Sequence, residues 1–374
     1  MRVAILGAGP AGLYLGYLIK RRQPQAEVRV VEQNPANATF GFGVVFSDRA
    51  LDFLREDDPD THAAIVTHME SWTDITLVHR NERIAIDGIG FAAIGRLKLL
   101  HMLQERARSV GVSLAFDRSV KSLDELGEAD LIVGADGVNS LVRRTFSEAF
   151  GGRVSLMNNR FAWFGTTRVF DTLTQTFRHT PVGDFNAHHY RYASGRSTFI
   201  VETDTATFAH AGFERMEESD ARMLCEKIFA DALGGARLIS NNSIWRRFPQ
   251  VWNERWHHGK YVLIGDAAHT AHFSIGSGTR LAMEDAIALD RALAEHEDDV
   301  VAALPAYDAL RRPIVDKIVR GAMESAAWYE DFAEHMQLAP LDFAMSYIQR
   351  SGRVDIERLR KLSPKFMARY ESRQ

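Results

Sequence analysis

The sequence has 374 residues, of which 46% are hydrophobic and 25% are charged, a composition that excludes disordered, collagen-like and disulfide-scaffold proteins. Lysine and arginine number 45 against 49 aspartates and glutamates, so the net charge of -4 provides no basic field for nucleic acid or an anionic membrane. No apolar stretch approaches the ~20 residues that span a bilayer, no signal peptide is recognised, and the single Cys225 cannot form an internal disulfide, so a cytoplasmic protein is expected.

The chain begins with a pattern of strand, glycine-rich turn, helix and strand. The apolar run from Arg2 to Leu6 predicts the first strand, residues 13–19 predict a helix, and the alternating residues 27–32 predict the second strand. A G-x-G-x-x-G motif stands between the first strand and the helix, and Glu32 follows its last glycine by 20 residues. This context is that of a dinucleotide-binding βαβ unit.

The residue types in this motif suit a dinucleotide. Gly7 permits the tight turn, and Gly9 lets backbone N–H groups approach a pyrophosphate. Gly12 allows close packing of the helix, and Glu32 can accept hydrogen bonds from ribose hydroxyls. The motif alone leaves NAD and FAD open.

The middle of the chain changes character. Residues of roughly 155 to 208 are rich in aromatic and β-branched side chains and contain recurring turn signals, which predicts an antiparallel sheet. The apolar run 261–264 belongs with the first unit, because it ends at a Gly-Asp pair like a strand of a nucleotide-binding fold. From Leu281 onward the composition predicts helices, interrupted at Pro305 and Pro313.

The predicted fold class is therefore α/β, with a Rossmann-like nucleotide-binding domain that is discontinuous in sequence. We assign to that domain residues 1–73, 95–154 and 257–300. A β-sheet substrate domain is predicted from residues 74–94 and 155–256, and a helical C-terminal region from residues 301–374.

Two more motifs follow buried strands, where ligands of open parallel sheets bind. The first is Asp136-Gly137, with Arg143 in the following segment, and the second is Gly265-Asp266. Together with Arg96-x-x-Leu99, these motifs resemble those of the single-component FAD-dependent aromatic hydroxylases of the 4-hydroxybenzoate hydroxylase type. The resemblance covers essentially the whole chain, in the family order.

The resemblance implies FAD as the cofactor and NADH or NADPH as the co-substrate. It also implies that reduced FAD reacts with O2 to a C4a-hydroperoxide, which delivers oxygen to an electron-rich aromatic ring. By the same resemblance, the pyrophosphate lies at the G-x-G-x-x-G turn, the adenosine ribose at Glu32 and the ribityl chain at Asp266. The full implied set of cofactor-binding residues is Gly7, Gly9, Pro10, Ala11, Gly12, Glu32, Gly43, Val44, Arg96, Asp136, Gly265, Asp266, Gly276 and Gly278.

Two segments resemble a narrower branch of the family. These are Gly41–Ser47 and His272–Arg280, in which Phe273 and Arg280 replace the usual proline and asparagine. Their sequences are similar to those of the FAD domains of salicylyl-CoA and 2-aminobenzoyl-CoA hydroxylases. They are also similar to the sequence of the violacein-pathway hydroxylase that acts on an indole. The expected substrate is a small aromatic, with an aryl-CoA thioester such as salicylyl-CoA preferred. The alternatives are a free aromatic or indole metabolite, and a flavin-binding reductase or partner subunit without oxygen transfer.

Other features of the sequence bear on which reaction is catalysed and which residues take part in it. The chain has one dinucleotide fingerprint and no redox cysteine pair, which disfavours a disulfide reductase. Candidate bases on the predicted sheet are His188, His189 and Tyr190, and no metal site is expected. The basic run from Arg350 to Arg373 is either a solvated terminal helix or a contact for CoA phosphates. A monomer or a homodimer is expected.

Overall fold

The computed structural model describes residues 1–47 and 51–373. Its strands belong to three sheets and are numbered in chain order. They are Arg2–Leu6 (β1), Glu27–Val31 (β2), Gly43–Ser47 (β3), Glu70–Trp72 (β4), Ile75–His79 (β5), Glu82–Ile86 (β6), Phe91–Gly95 (β7), Ser113–Ala115 (β8), Leu131–Gly134 (β9), Arg153–Thr166 (β10), Leu173–Thr180 (β11), Gly183–Ala193 (β12), Arg196–Thr203 (β13), Leu238–Ile239 (β14), Arg246–Trp252 (β15), His257–His258 (β16) and Tyr261–Leu263 (β17).

The helices cover the sheets and form the C-terminal part of the chain. They are Pro10–Arg22 (α1), Asp52–Asp57 (α2), Pro59–Val66 (α3), Arg96–Ser109 (α4), Leu141–Thr145 (α5), Ser147–Phe150 (α6), Thr205–His210 (α7), Glu218–Ile228 (α8), Ala230–Leu233 (α9), Gly278–Glu295 (α10), Val300–Glu330 (α11), Phe332–His335 (α12), Pro340–Gln349 (α13), Ile356–Leu362 (α14) and Pro364–Glu371 (α15). Short 3-10 turns include Gly137–Asn139, Gly265–Ala267 and Phe273–Ile275.

The first sheet has the strand order β16-β17-β9-β1-β2-β8. All its pairings are parallel except that of β16 with β17, and its central strands are buried. Helix α1 packs between α4 and α10 on this layer. Since β17 joins the sheet from far along the chain, the nucleotide-binding layer is discontinuous in sequence, and the predicted α/β fold class is confirmed.

The second sheet is larger and mainly antiparallel, in the order β14-β10-β13-β12-β11-β5-β6, with β15 also paired to β10. One of its faces packs on α8 and α9, where Cys225 is fully buried. The other face packs on the C-terminal helices, with Phe177 against Trp328, Phe332 and Phe343. The antiparallel sheet was expected from the aromatic and β-branched pattern, and its hairpins alternate side chains between the two faces.

A third sheet, in the order β3-β7-β4, joins these layers. The predicted domain ranges remain a prediction, and the ranges 1–73 and 301–374 include residues outside the described ones. Among the described helices, none is long and apolar enough to cross a membrane.

The prediction that Pro305 and Pro313 interrupt the C-terminal helices is wrong. Helix α11 runs through both prolines for 31 residues. A proline inside a helix costs about 3 kcal/mol through a lost hydrogen bond and a steric clash. Burial of Leu304, Tyr307 and Val315 along the same helix, which packs on α10, offsets that cost.

Candidate active site

The glycine-rich turn after β1 packs tightly against the protein at Gly7 and Gly12 and leaves free space at Gly9. Gly7 has a φ of +105°, and a Cβ there would lie 2.3 Å from the Ala135 carbonyl oxygen. A Cβ on Gly12 would lie 2.1 Å from the Gly7 carbonyl oxygen, whereas a Cβ on Gly9 would meet nothing within 4 Å. Helix α1 begins directly after Gly9 without a side-chain cap. Its first N–H groups are therefore placed to bind an anion.

Glu32 braces this turn from the end of β2. Its Oε2 accepts a hydrogen bond from the Ala8 N–H at 2.9 Å, and its Oε1 accepts from the Asn34 backbone and side-chain nitrogens at 2.9 and 2.6 Å. A carboxylate has more lone pairs than these bonds use. Glu32 can therefore hold the turn and still accept from a ribose hydroxyl.

The two aspartate–glycine motifs lie beside the same turn. Gly7 touches Ala135, which precedes Asp136, and a Cβ on Gly265 would lie 3.3 Å from the Ala11 Cβ. The buried Arg143 joins the motifs, because its Nη1 donates to the Ala267 carbonyl at 2.9 Å and its Nη2 to the Val138 carbonyl. The neighbouring parallel strands β1, β9 and β17 thus bring together three motifs that are far apart in sequence.

Asp136 Oδ1 and Arg96 Nε are buried polar atoms of this cleft that have no protein partner within residues 1–47 and 51–373. Burial raises the pKa of Asp136, although hydrogen bonds from Ser140 and the Leu141 N–H act in the opposite direction. Burial also lowers the pKa of Arg96, against the charge of the nearby Asp266. Buried polar groups of this kind require a hydrogen-bonding partner, which a polar cofactor supplies.

Asp266 is accessible from the cleft and enclosed by protein on its other sides. This enclosure raises its pKa, while His269 and Arg96 act to lower it. An acceptor-only carboxylate at this position suits a chain of hydroxyl groups. The residues therefore fit FAD at the pyrophosphate turn, at both aspartates and at Arg96.

Asp285, which none of the sequence motifs indicated, fixes the Gly265 turn. Gly265 has a φ of +60°, and its N–H donates to Asp285 Oδ2 at 2.9 Å. Asp285 also accepts from His269 Nε2 at 2.8 Å and from Arg311 Nε at 2.7 Å. Burial by itself raises the pKa of Asp285, but His269 and Arg311 together hold it below its usual value. An acidic residue on the otherwise apolar face of α10 was the available signal.

The two segments that resemble the narrower branch, Gly41–Ser47 and His272–Arg280, lie against each other. Gly43, which begins β3, receives a hydrogen bond at its carbonyl from the Tyr190 hydroxyl at 2.9 Å, and its N–H donates to Thr198 Oγ1 at 2.9 Å. Gly276 has a φ of +62°, and a Cβ there would lie 3.0 Å from Val45 Cγ1. Helix α10 begins at Gly278 without a side-chain cap, so its N-terminus is available for a negatively charged group.

The three candidate bases do not share one face of the sheet. Tyr190 and His188 lie on one side of β12, and Tyr190 contacts Gly43. His189 lies on the other side, where its Nε2 is 3.0 Å from Thr176 Oγ1 and its ring packs 4.0 Å from that of Phe170. Burial holds the pKa of His189 well below its ordinary value. This placement in an apolar cluster argues against His189 as a base at the cleft.

His188 instead faces the turn that precedes Gly276. Its ring centroid is 5.4 Å from that of Phe273, and the neighbouring His272 accepts a hydrogen bond at Nδ1 from the Ser274 N–H at 3.3 Å. Burial, with a contribution from Arg350, lowers the pKa of His188 and of His272 to about 3. Both imidazoles are therefore neutral at neutral pH. Across the described ranges, no group of three or more His, Cys, Asp or Glu is suited to a metal ion.

Three of the six arginines of the C-terminal basic run form ion pairs at the surface. Arg360 pairs with Glu357 and Glu371, Arg369 pairs with Glu82, and Arg373 pairs with Asp342. Arg350 differs, because its Nη2 donates to the Ser274 carbonyl at 3.0 Å and so reaches the turn beside His272. The interpretation as solvated helices suits the paired arginines, and Arg350 belongs to the cleft.

Comparison with known proteins agrees with this geometry. The model of a family described as FAD binding domain matches residues 1–322. Salicyloyl-CoA 5-hydroxylase from Streptomyces sp is 43% identical over 94% of this chain and 70% of its own length. A 3-hydroxy-4-methyl-anthranilyl-(aryl-carrier protein) 5-monooxygenase from Streptosporangium sibiricum is 38% identical over 88% of this chain and 89% of its own length. Protodeoxyviolaceinate monooxygenase from Chromobacterium violaceum is 34% identical over 94% of each chain.

A solved structure supports the fold alone. The crystal structure of a 2-methyl-3-hydroxypyridine-5-carboxylic acid oxygenase superposes with a TM-score of 0.70 at 19% identity, covering 99% of this chain and 98% of that one. The matched family model, the identities above 30% and the cleft that fits FAD lead to one conclusion. The chain belongs to the FAD binding domain family and is a flavoprotein monooxygenase that hydroxylates an aromatic ring.

Proposed function

We propose that this protein hydroxylates an aryl-CoA thioester such as salicylyl-CoA, with FAD as cofactor, NADH or NADPH as electron donor and O2 as oxygen donor. The observation that carries the flavin part is the convergence of Gly7–Gly12, Asp136 and Gly265–Asp266 at one edge of the first sheet. The similarity to a salicyloyl-CoA 5-hydroxylase over 94% of the chain supports the substrate. When bound, FAD supplies the electron transfer from the nicotinamide and the activation of oxygen.

The chain's own residues bind and orient the cofactor in this proposal. The first N–H groups of α1 bind the pyrophosphate, and Glu32 accepts from the adenosine ribose. Asp266 accepts from the ribityl hydroxyls, and Arg96 supplies a buried cation next to it. Gly43, Val44, Gly276 and Gly278 flank the ring, and the N-terminus of α10 at Gly278 offers backbone N–H groups to it.

Aromatic rings surround the 272–275 turn. The ring of Phe273 lies 4.9 Å from that of Phe161, and His272 lies 4.7 Å from Phe248. A dry, aromatic environment favours oxygen transfer to the ring over loss of the oxidant to water. The neutral His188 can accept a hydrogen bond from a hydroxyl or amino substituent of the substrate.

The cofactor assignment is tested with Asp266→Ala. Asp266 is accessible, so its removal leaves the core intact, and the loss of a charged hydrogen-bond acceptor should weaken FAD binding roughly 10- to 100-fold. Flavin absorbance per protein after desalting measures the loss, and thermal unfolding checks the fold. Asp60→Ala, an exposed aspartate on α3, is the matched control and should keep the flavin. An Asp266→Ala protein with stoichiometric FAD would show that the assignment is mistaken.

Free aromatic or indole substrates should be compared directly with the aryl-CoA thioester, because a relative at 34% identity is named for protodeoxyviolaceinate and not for a thioester. NADH and NADPH oxidation, oxygen uptake and product formation should be measured with salicylyl-CoA, free salicylate and indoles. Product coupled to nicotinamide oxidation only with the thioester supports the aryl-CoA proposal. Equal coupling with a free acid or an indole would replace it, and oxygen uptake without any hydroxylated product would favour a flavin reductase.

A further inference from the structure

Arg350 places a cation beside the 272–275 turn. It follows α13 directly, and its guanidinium carbon lies 3.9 Å from the Tyr347 ring centroid and 5.9 Å from that of Tyr329. Its Nη1 donates to the Tyr347 carbonyl at 2.8 Å and its Nη2 to the Ser274 carbonyl at 3.0 Å. The aromatic rings and both carbonyls thus fix the plane of the guanidinium.

This guanidinium retains hydrogen-bonding capacity. It carries five N–H donors, of which the two carbonyl contacts use two. Its Nε is buried and has no partner in the part of the chain that the structure describes. Within the same residues, its side chain makes no ion pair with a carboxylate, in contrast to Arg360, Arg369 and Arg373. A half-buried cation without an anionic partner is costly, and a bound anion relieves that cost.

The groups that face Arg350 come from every element packed around it. His188 of β12 and His272 of the turn are neutral, with pKa values lowered to about 3 mainly by burial. Tyr329 of α11 and Tyr347 of α13 contribute neutral phenols. Glu202 of β13 is buried beyond Tyr329, and burial raises its pKa to about 7. The positive charge of Arg350 is therefore poorly balanced by its neighbours.

We propose that Arg350 is a substrate-binding residue whose guanidinium donates a hydrogen bond to the phenolic oxygen of the bound aromatic ring and stabilises it as a phenolate. This inference rests on the proposed function, which places an aromatic ring beside the 272–278 segment. On binding, the phenolic O–H bond breaks, its electron pair stays on oxygen and the proton is released to solvent. The phenolate oxygen then donates electron density to the ring, which favours attack by an electrophilic oxygen.

The test is a spectrophotometric pH titration of a phenol bound to the FAD-loaded enzyme in the absence of nicotinamide. Salicylyl-CoA is the first probe and a nitrophenol is the second, since phenol and phenolate differ in absorbance. The wild-type protein should lower the pKa of the bound phenol by about 1 to 3 units relative to the free phenol, as expected for a cation within hydrogen-bonding distance. Release of a proton on binding at neutral pH should accompany the shift.

Three variants test whether Arg350 causes the shift in the pKa of the bound phenol. Arg350→Gln removes the charge but keeps an amide donor for Ser274, and the bound phenol should return toward its free pKa, a 10-fold or greater loss of phenolate at neutral pH. Arg350→Lys keeps the charge and should keep most of the shift. Arg360→Gln, a surface arginine paired with Glu357 and Glu371, should behave as wild type. Flavin content and thermal unfolding establish that each variant is folded.

The outcomes separate the two proposals. If the FAD-loaded wild-type protein binds neither probe, both the proposed function and the role of Arg350 fail. If it binds the probe with a lowered phenol pKa that Arg350→Gln retains, the assignment to Arg350 alone fails. If Arg350→Gln does not fold, Arg350→Lys decides: a folded lysine variant with an unshifted phenol pKa overturns the proposal, and a retained shift supports it.

Discussion

Replacing Glu202 by glutamine should stabilise this protein at alkaline pH. Glu202 lies on β13 with 2% of its surface exposed, and its Oε1 accepts from Asn159 Nδ2 at 3.0 Å. Its Oε2 has no partner among the described residues, and the side chain of Asn186, opposite Glu202 in the sheet register, also lacks one. Burial raises the pKa of Glu202 to about 7; the hydrogen bond from Asn159 opposes this shift, and the nearby Glu330 acts in the same direction as burial.

The magnitude follows from proton linkage. Because the pKa in the folded state lies above the ordinary value of 4.5, the folded protein binds this proton more tightly than the unfolded chain. The free energy of unfolding therefore falls as pH rises from about 4.5 to about 7 and stays reduced above that range, by about 3 kcal/mol. Glutamine keeps the acceptor for Asn159 and adds an N–H toward Asn186, without a charge to desolvate.

The assay is chemical denaturation of the FAD-saturated wild type and Glu202→Gln at pH 5 and pH 8. The variant should exceed the wild type's free energy of unfolding by less than about 1 kcal/mol at pH 5 and by about 3 kcal/mol at pH 8. Glu218→Gln, on the exposed side of α8, is the control and should show no pH-dependent difference. A Glu202→Gln variant whose difference from wild type is the same at both pH values would refute the reasoning.

Two further substitutions probe the cofactor cleft. Gly12→Ala places a Cβ 2.1 Å from the Gly7 carbonyl oxygen and should lower both the melting temperature and the flavin content. Gly9→Ala adds a Cβ that meets nothing within 4 Å, so it should leave the melting temperature of the FAD-free protein unchanged. Equal melting temperatures for the two variants would contradict this prediction. Asp285→Asn removes one of the two carboxylates that pair with the buried Arg311 and leaves Glu284 as the other, so it should cost about 1.5–3 kcal/mol in denaturant unfolding. A near-wild-type value would count against the role of Asp285 in holding the Gly265 turn.

The sequence identified the parts of the cofactor cleft whose geometry is local. Gly7 and Gly265 adopt positive φ values that favour glycine, and each follows a mostly apolar, buried strand. Turn conformation and hydrophobic periodicity depend on a few adjacent residues, so the βαβ unit and the Gly-Asp turn are readable in the chain. The family resemblance then indicated that these motifs, which are far apart in sequence, belong to one cofactor site.

Only the tertiary structure decided which side chains share an environment. His188 and His189 are neighbours in sequence, yet one faces the cleft and the other an apolar cluster, because the layers packed on β12 differ. Arg350 and Ser274, like Asp285 and Gly265, meet through packing of separate elements. Desolvation and charge pairing depend on everything that surrounds a group, and no local pattern encodes that. The sequence by itself therefore determined the fold class and the glycine turns of the cleft, and packing determined the ionisation states and partners of its side chains.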